Sequence, residues 1–294
     1  MHMESLYVLQ WVVILFVFTC VIGVIAPIGG VGGGVLFVPL ATAFLPFHVD
    51  FIRGAGLVMA LTSALSSSPL LLKRGLTNLR VAVPVATVSI TTSIAGSIIG
   101  LWYTNRFARG EAYFVLLLGA LLLFIFGFMI SSRRVEYPDL LKVGSISRKL
   151  GLGGSWYELS LQKTVSYGTT NFIWGMLSFA VVGFIAGMFG LGAGWASVPV
   201  LNLVMGVPLK VAAATSLGII VFNGAAATWV YLAQGAILPL ICIPSVAGMS
   251  IGARIGARLA VKVKAHSVKY IVLGIMLCAA ILNILKGLRG IGVI

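Results

Sequence analysis

Residues 23–39 read GVIAPIGGVGGGVLFVP, and residues 183–199 read GFIAGMFGLGAGWASVP. Both stretches place alternating glycines between an apolar run and a Val-Pro pair. Each glycine inside a helix costs about 1 kcal/mol relative to alanine, so the glycines predict that a helix ends at both places. Unwound backbone within a membrane needs protein or a watery cavity around it, because its polar groups require partners. The two stretches therefore predict a pair of buried helix breaks.

The two breaks belong to an internal repeat of the chain. A shift of 160 residues aligns the halves without a gap from about residue 21 to residue 100. In this register the alternating glycines of one break fall on those of the other, and Pro39 and Pro84 fall on Pro199 and Pro244. Interrupted apolar segments at matching positions of two halves are the best pointer in a sequence to a transporter site.

The composition of the whole chain is that of an integral membrane protein. Of its 294 residues, 60% are apolar and only 9% are charged, whereas soluble chains average about 45–50% and about 25%. Eight of its ten apolar runs approach the length of about 20 residues that a membrane-spanning helix needs. The runs at 34–46 and 193–206 are shorter. We therefore predict an all-α polytopic membrane protein with eight to ten transmembrane segments.

The domain organisation follows from one long polar stretch in the middle of the chain. We expect a first transmembrane repeat at 1–130, a cytoplasmic linker at 131–170 and a second transmembrane repeat at 171–294. Ten crossings would place the linker and the basic loops 73–80 and 262–269 together in the cytoplasm, as the positive-inside bias favours. Each half then has five segments, which makes the repeats inverted. Eight crossings, with 262–269 outside, are the alternative.

The charge and motif content excludes several classes of function. The net charge of +14 comes from basic residues in loops and at helix ends, where lipid headgroups and topology explain them, so nucleic acid is not expected as a partner. Cys20, Cys242 and Cys278 lie in separate apolar runs and form neither a disulfide framework nor a metal motif. No HExxH or CxxC pattern is present. We expect no metal, no cofactor and no enzymatic activity.

Charged side chains are placed mainly at the edges of the apolar runs. All six acids lie in loops, at the N-terminus or at a segment edge, which disfavours a proton relay or a cation site built on Asp or Glu. An anionic substrate fits this pattern better. Arg53, Lys210, Arg254 and Arg258 are interpreted as side chains that extend to the lipid headgroups, with anion binding as the alternative.

The restart of a helix after each break suggests an anion site. The first turn of a helix presents free N–H groups and a positive dipole end, and two such ends would meet near the middle of the membrane. Close helix packing is the alternative role of these glycines, and we assign it to Gly96, Gly100, Gly248, Gly252 and Gly256. The predicted substrate-binding residues combine the breaks with uncharged polar residues of the neighbouring runs. They are Gly30, Gly32, Gly33, Gly34, Gly190, Gly192, Ala193, Gly194, Ser63, Thr215, Ser216 and Asn223.

Four segments resemble a known family. They are GGVGGGVLFVPL at 29–40, FGLGAGWASVPVL at 189–201, AAATSLGI at 212–219 and GARIGARLA at 252–260. They resemble the TauE/SafE family of sulfite and organosulfonate exporters, and the likeness extends over both repeats. The resemblance implies a permease of the prokaryotic inner membrane with Thr215 and Ser216 near the translocation site. The first half departs from the pattern, because Ala55 and Gly56 replace Thr and Ser.

The predicted function is secondary transport. We expect a multi-pass exporter of a small sulfur-containing anion, such as sulfite or a sulfonate, that works by alternating access. Its expected partners are this anion and membrane lipid, with a homo-oligomer as a further possibility. A passive anion channel and an accessory membrane subunit of a sulfur-metabolism system are the alternatives.

Overall fold

The computed structural model describes residues 2–107, 109–131, 144–158, 163–260 and 265–293. The first half contains α1 (His2–Gly29), α2 (Gly34–Phe44), α3 (Val49–Lys73), α4 (Leu79–Arg106) and α5 (Gly110–Ser131). The linker contains α6 (Ser145–Lys149) and the strands β1 (Gly154–Glu158) and β2 (Lys163–Tyr167). The second half contains α7 (Phe172–Phe189), α8 (Gly194–Pro199), α9 (Leu209–Ala233), α10 (Pro239–Ala260) and α11 (Ala265–Ile291). A π-helical turn (Val200–Val204) continues α8.

Eight of the described helices are long and apolar enough to cross a membrane. The two remaining apolar helices, Gly34–Phe44 and Gly194–Val204, are shorter. They occupy the two runs that the sequence marks as too short. The prediction of an all-α polytopic membrane protein is confirmed.

The internal repeat is visible in the bounds of the helices. Helix α2 and the segment Gly194–Val204 both begin and end at positions that differ by 160. Helices α3 (Val49–Lys73) and α9 (Leu209–Ala233) obey the same offset. Since equal lengths and equal spacings recur in both halves, the halves share one structural plan.

Each long helix packs mainly against a helix of the other half: α1 against α10, α4 against α7, α3 against α9 and α5 against α11. Glycines make the first two contacts close. A Cβ atom on Gly252 or Gly256 would overlap a carbonyl group of α1, and one on Gly96 would overlap the carbonyl of Phe184 in α7. These glycines serve helix packing, as the sequence predicts.

Equivalent helices of the two halves run in opposite directions along each other. In the α3–α9 pair, Gly54 lies against Ala236 near one end, and Thr77, just beyond α3, lies against Gly218 towards the other. In the α5–α11 pair, Gly119 lies against Ile284, and Gly290 lies against Ala112.

The described part of the linker folds back onto the helices. Strands β1 and β2 pair antiparallel, and the amide of Asn78 at the start of α4 donates to Leu152 O (3.3 Å) and to Tyr167 Oη (2.8 Å). Burial raises the pKa of Tyr167, although its hydrogen bond with Asn78 acts in the opposite direction. The phenol therefore stays neutral and keeps this contact at physiological pH.

Candidate functional site

The first break separates α1 from α2. Gly30 and Gly32 adopt positive φ angles of 68° and 73°, which favour glycine because a side chain would be strained there. The N–H of Gly30 donates to Pro27 O at 3.1 Å, which closes the end of α1. The first helical hydrogen bond of α2 runs from Phe37 N to Gly33 O at 3.0 Å. The helix therefore ends and restarts within four residues, as the sequence predicts.

The second break, between α7 and α8, has the same geometry. Gly190 and Gly192 have φ angles of 71° and 70°. The first bond of α8 runs from Ser197 N to Ala193 O at 3.2 Å. The two breaks therefore match in backbone conformation as well as in sequence.

The two breaks contact each other. A Cβ atom on Gly34 would lie 2.8 Å from the carbonyl oxygen of Leu191 in the second break, and one on Gly194 would overlap the carbonyl of Val31 in the first. All residues from 30 to 39 and from 189 to 202 are buried. The breaks are therefore a shared centre between the halves and do not face lipid.

The breaks leave an unusual set of backbone donors. Within the described part of the chain, the N–H groups of residues 32–36 and 192–196 have no hydrogen-bond acceptor. The first N–H groups of any helix lack a partner within that helix. Buried N–H groups nonetheless nearly always find one elsewhere. This centre is therefore rich in buried backbone donors.

Ser216 is the predicted hydroxyl that reaches a break directly. Its Oγ donates to Gly30 O at 2.6 Å. Its repeat equivalent is Gly56, where a Cβ atom would lie 2.7 Å from Gly190 O. A hydroxyl supports the first break and bare backbone packs on the second. The sequence departure at Ala55–Gly56 thus makes the site asymmetric.

The other predicted polar residues lie in three different environments. Thr215 Oγ1 accepts from Asn78 N at 3.0 Å, at the start of α4. Asn223 Nδ2 donates to Ser89 Oγ at 2.7 Å, so it joins α9 to α4. Ser63 is fully buried, and its Oγ has no partner among the described residues. Among these three residues, only Ser63 has a polar side-chain atom without a hydrogen-bond partner in the described chain.

Trp195 is a polar residue of the site that the sequence argument does not select. It is the first residue after Gly194, it is 4% exposed, and its Nε1 has no hydrogen-bond partner among the described residues. Its repeat equivalent is Val35. A buried indole N–H usually finds an acceptor. The sequence does contain a signal for this residue, because a tryptophan directly follows the glycine motif in one half only.

Arg53 does not extend to the lipid headgroups, contrary to the interpretation made from the sequence. Its side chain is fully buried, and Nη1 lies 2.6 Å from Asp50 Oδ1. It also donates to Gly100 O (3.4 Å) and to Met188 O, while its guanidinium covers the ring of Phe114 at 4.1 Å. The interpretation was wrong because α4, α5 and α7 cover this end of α3.

Asp50 is likewise buried although it lies at the edge of its segment. It is 5% exposed, and Thr104 Oγ1 lies 2.9 Å from both of its carboxylate oxygens. The backbone of Arg53 packs against Gly190 of the second break. A buried carboxylate and a buried guanidinium therefore lie beside the site, where the sequence predicts no carboxylate.

The fold and the site together define a polytopic membrane transporter built from two homologous halves with paired broken helices. The chain belongs to the sulfite exporter TauE/SafE family, whose pattern matches residues 15–282. It is 25% identical over 263 residues to the probable membrane transporter protein YunE of Bacillus subtilis strain 168, which covers 87% of this chain and 91% of that protein. No solved structure matches it significantly. The family resemblance and the multi-pass membrane location are confirmed.

Proposed function

We propose that the protein moves a small sulfur oxyanion, such as sulfite or a C2 sulfonate, outward across the membrane by alternating access. The observation that carries the proposal is the set of buried N–H groups in residues 32–36 and 192–196, which lack acceptors in the described chain. A sulfonate offers three acceptor oxygens in a compact group. Backbone donors at helix starts bind such anions without a charged side chain.

In this proposal the breaks form the binding site together with nearby side chains. Ser63 and Trp195 supply donors, because the hydroxyl of Ser63 and the Nε1 of Trp195 have no partner among the described residues. Ser216 holds the first break through Gly30 O. Thr215 and Asn223 connect α9 to α4, so they position the site and respond when α9 moves relative to α4.

We also propose that the two halves are inverted relative to the membrane. The opposite directions of α3 and α9 and of α5 and α11 support this, and so do the basic residues of the loop after α3. Arg74→Cys and Gln234→Cys test it, because both positions are exposed and differ by 160 in the repeat. Membrane-impermeant thiol reagents should label them from opposite faces in a background without the native cysteines. Labelling from the same face would contradict the inverted arrangement.

Flux measurements in liposomes test the transport proposal. Purified protein should take up sulfite and ethanesulfonate with saturation and should exchange internal for external substrate. Conductance without saturation or exchange would favour the passive channel instead. No flux of either anion would contradict the proposed substrate class.

A double variant tests the location of the site. Gly192→Leu with Gly194→Leu should abolish flux while membrane insertion persists, because side chains at these positions would fill the contact between the breaks. Gly127→Leu is the matched control, since a Cβ atom on Gly127 meets nothing within 4 Å. Unchanged flux in the double variant would contradict the site assignment.

A further inference from the structure

The charged side chains near the second break bear on which ion crosses the membrane together with the anion. Asp50 and Arg53 are the buried charged side chains among the residues whose burial is described. The guanidinium of Arg53 donates to Met188 O, two residues before Gly190, so its positive charge lies beside the second break. Asp50, 2.6 Å away, compensates that charge. The centre is therefore electrically neutral before any anion arrives.

An anion that enters this neutral centre adds an uncompensated negative charge. Uncompensated charge is costly in a region of low dielectric, and buried charges are accordingly paired. Arg53 can become the counter-charge of the anion only if Asp50 loses its own charge. A proton on the Asp50 carboxylate achieves this without any other rearrangement of charge.

We propose that Asp50 binds one proton with each monovalent anion, so that the coupling ion of this transporter is H⁺. The proposal rests on the proposed anion site and adds its coupling ion. The transported unit is then an anion and a proton together, which is electroneutral. An anion that accumulates inside a cell leaves with a proton. Asp50 is 5% exposed, so this coupling uses a buried carboxylate that the sequence does not predict.

Thr104 and Arg53 contact the Asp50 carboxylate, and Tyr231 lies behind the guanidinium. Thr104 Oγ1 lies 3.2 Å from Gly100 O and 3.1 Å from Leu101 O, so its hydroxyl can turn to a carbonyl when the carboxylate is protonated. Arg53 keeps its bonds to Gly100 O and Met188 O. Tyr231 of α9 lies on the far side of the guanidinium, with its ring centre 5.3 Å away.

Two partly exposed titratable side chains lie between Asp50 and the surface. His48 Nδ1 lies 3.8 Å from Asp50 Oδ2, and His48 Nε2 lies 3.5 Å from Glu111 Oε2 of α5. The side chains of His48 and Glu111 are each 43% exposed. His48 Nδ1 also accepts from the N–H of Asp50 at 3.3 Å, so Asp50 lies directly beside two partly exposed side chains.

The test measures ethanesulfonate binding to the purified protein between pH 5 and pH 9 by calorimetry. A sulfonate keeps its charge throughout this range, whereas sulfite does not. We expect the Kd of ethanesulfonate to rise with pH by up to about tenfold per pH unit, because one proton is linked to each anion. Calorimetry in buffers of different ionisation enthalpy should show uptake of about one proton per anion. Asp50→Asn should bind with a Kd independent of pH.

The outcomes separate this inference from the function on which it rests. Binding by the wild-type protein with a Kd independent of pH and without proton uptake would overturn the inference and leave the anion site intact. Absence of ethanesulfonate and sulfite binding at every pH would overturn both. If Asp50→Asn does not fold, the proton uptake of the wild-type protein still tests whether a proton binds with the anion.

Discussion

Gly34→Ala is the sharpest test of the contact between the two breaks. A Cβ atom at this position would lie 2.5 Å from Gly56 O and 2.8 Å from Leu191 O, which is 0.9 and 0.6 Å short of the 3.4 Å of an ordinary contact. Both obstacles are backbone atoms, so neither can move away as a flexible side chain would. Overpacking of this kind costs about 1–3 kcal/mol, and two backbone obstacles place the cost near the upper end.

Alanine also favours the helix over glycine by about 1 kcal/mol, which offsets part of this cost. We therefore expect Gly34→Ala to lower the free energy of unfolding by about 2 kcal/mol. At about 2–4 °C per kcal/mol, the melting temperature in detergent should fall by about 4–8 °C. Flux per inserted molecule should fall as well, because the breaks must separate to admit the methyl group.

Gly127→Ala is the matched control for this prediction. Gly127 lies within α5, and a Cβ atom there meets nothing within 4 Å. Its melting temperature should be unchanged or slightly higher, and its flux should be normal. If Gly34→Ala melted and transported like Gly127→Ala, the breaks would not touch as described.

Three further predictions concern side chains around the site. Ser216→Ala leaves the buried Gly30 O without its donor and should lower the free energy of unfolding by about 1–3 kcal/mol. An unchanged melting temperature would contradict the contact. Asn78→Ala removes a helix cap worth about 1 kcal/mol and the hydrogen bonds to Leu152 and Tyr167 of the linker. Limited proteolysis should therefore cut the linker faster, and an unchanged rate would contradict the packing of the linker on α4. Trp195→Phe should weaken sulfonate binding by about 10–100-fold, which corresponds to the loss of one hydrogen bond to a charged group. Trp102→Phe is the control and should leave the affinity unchanged, because Trp102 is 58% exposed. Equal affinities of the two variants would exclude Trp195 from the site.

The breaks could be predicted from sequence because their cause is local. Backbone with positive φ strongly favours glycine, and glycine is costly inside a helix. Gly30, Gly32, Gly190 and Gly192 therefore mark where the helices end whatever surrounds them. The repeat then indicates that the second break copies the first, and both occur where expected.

The contacts around the breaks depend on tertiary packing, which a single sequence does not reveal. Arg53 lies near the start of an apolar run, and nothing in its neighbours shows that α4, α5 and α7 will cover it. Asn223 was selected for its polarity, but its partner Ser89 is 134 positions away on α4. Trp195 was missed because apolar character dominates the interpretation of an indole in such a run. Its missing acceptor is visible only once every neighbour has been placed.

A structure with 2-bromoethanesulfonate bound would test the central claim most directly, because bromine can be located by its anomalous scattering. We expect the bromine beside the junction of the two breaks and the sulfonate oxygens within hydrogen-bond distance of N–H groups in residues 32–36 and 192–196. Bromine bound only at another place in a protein that still transports the compound would contradict the account.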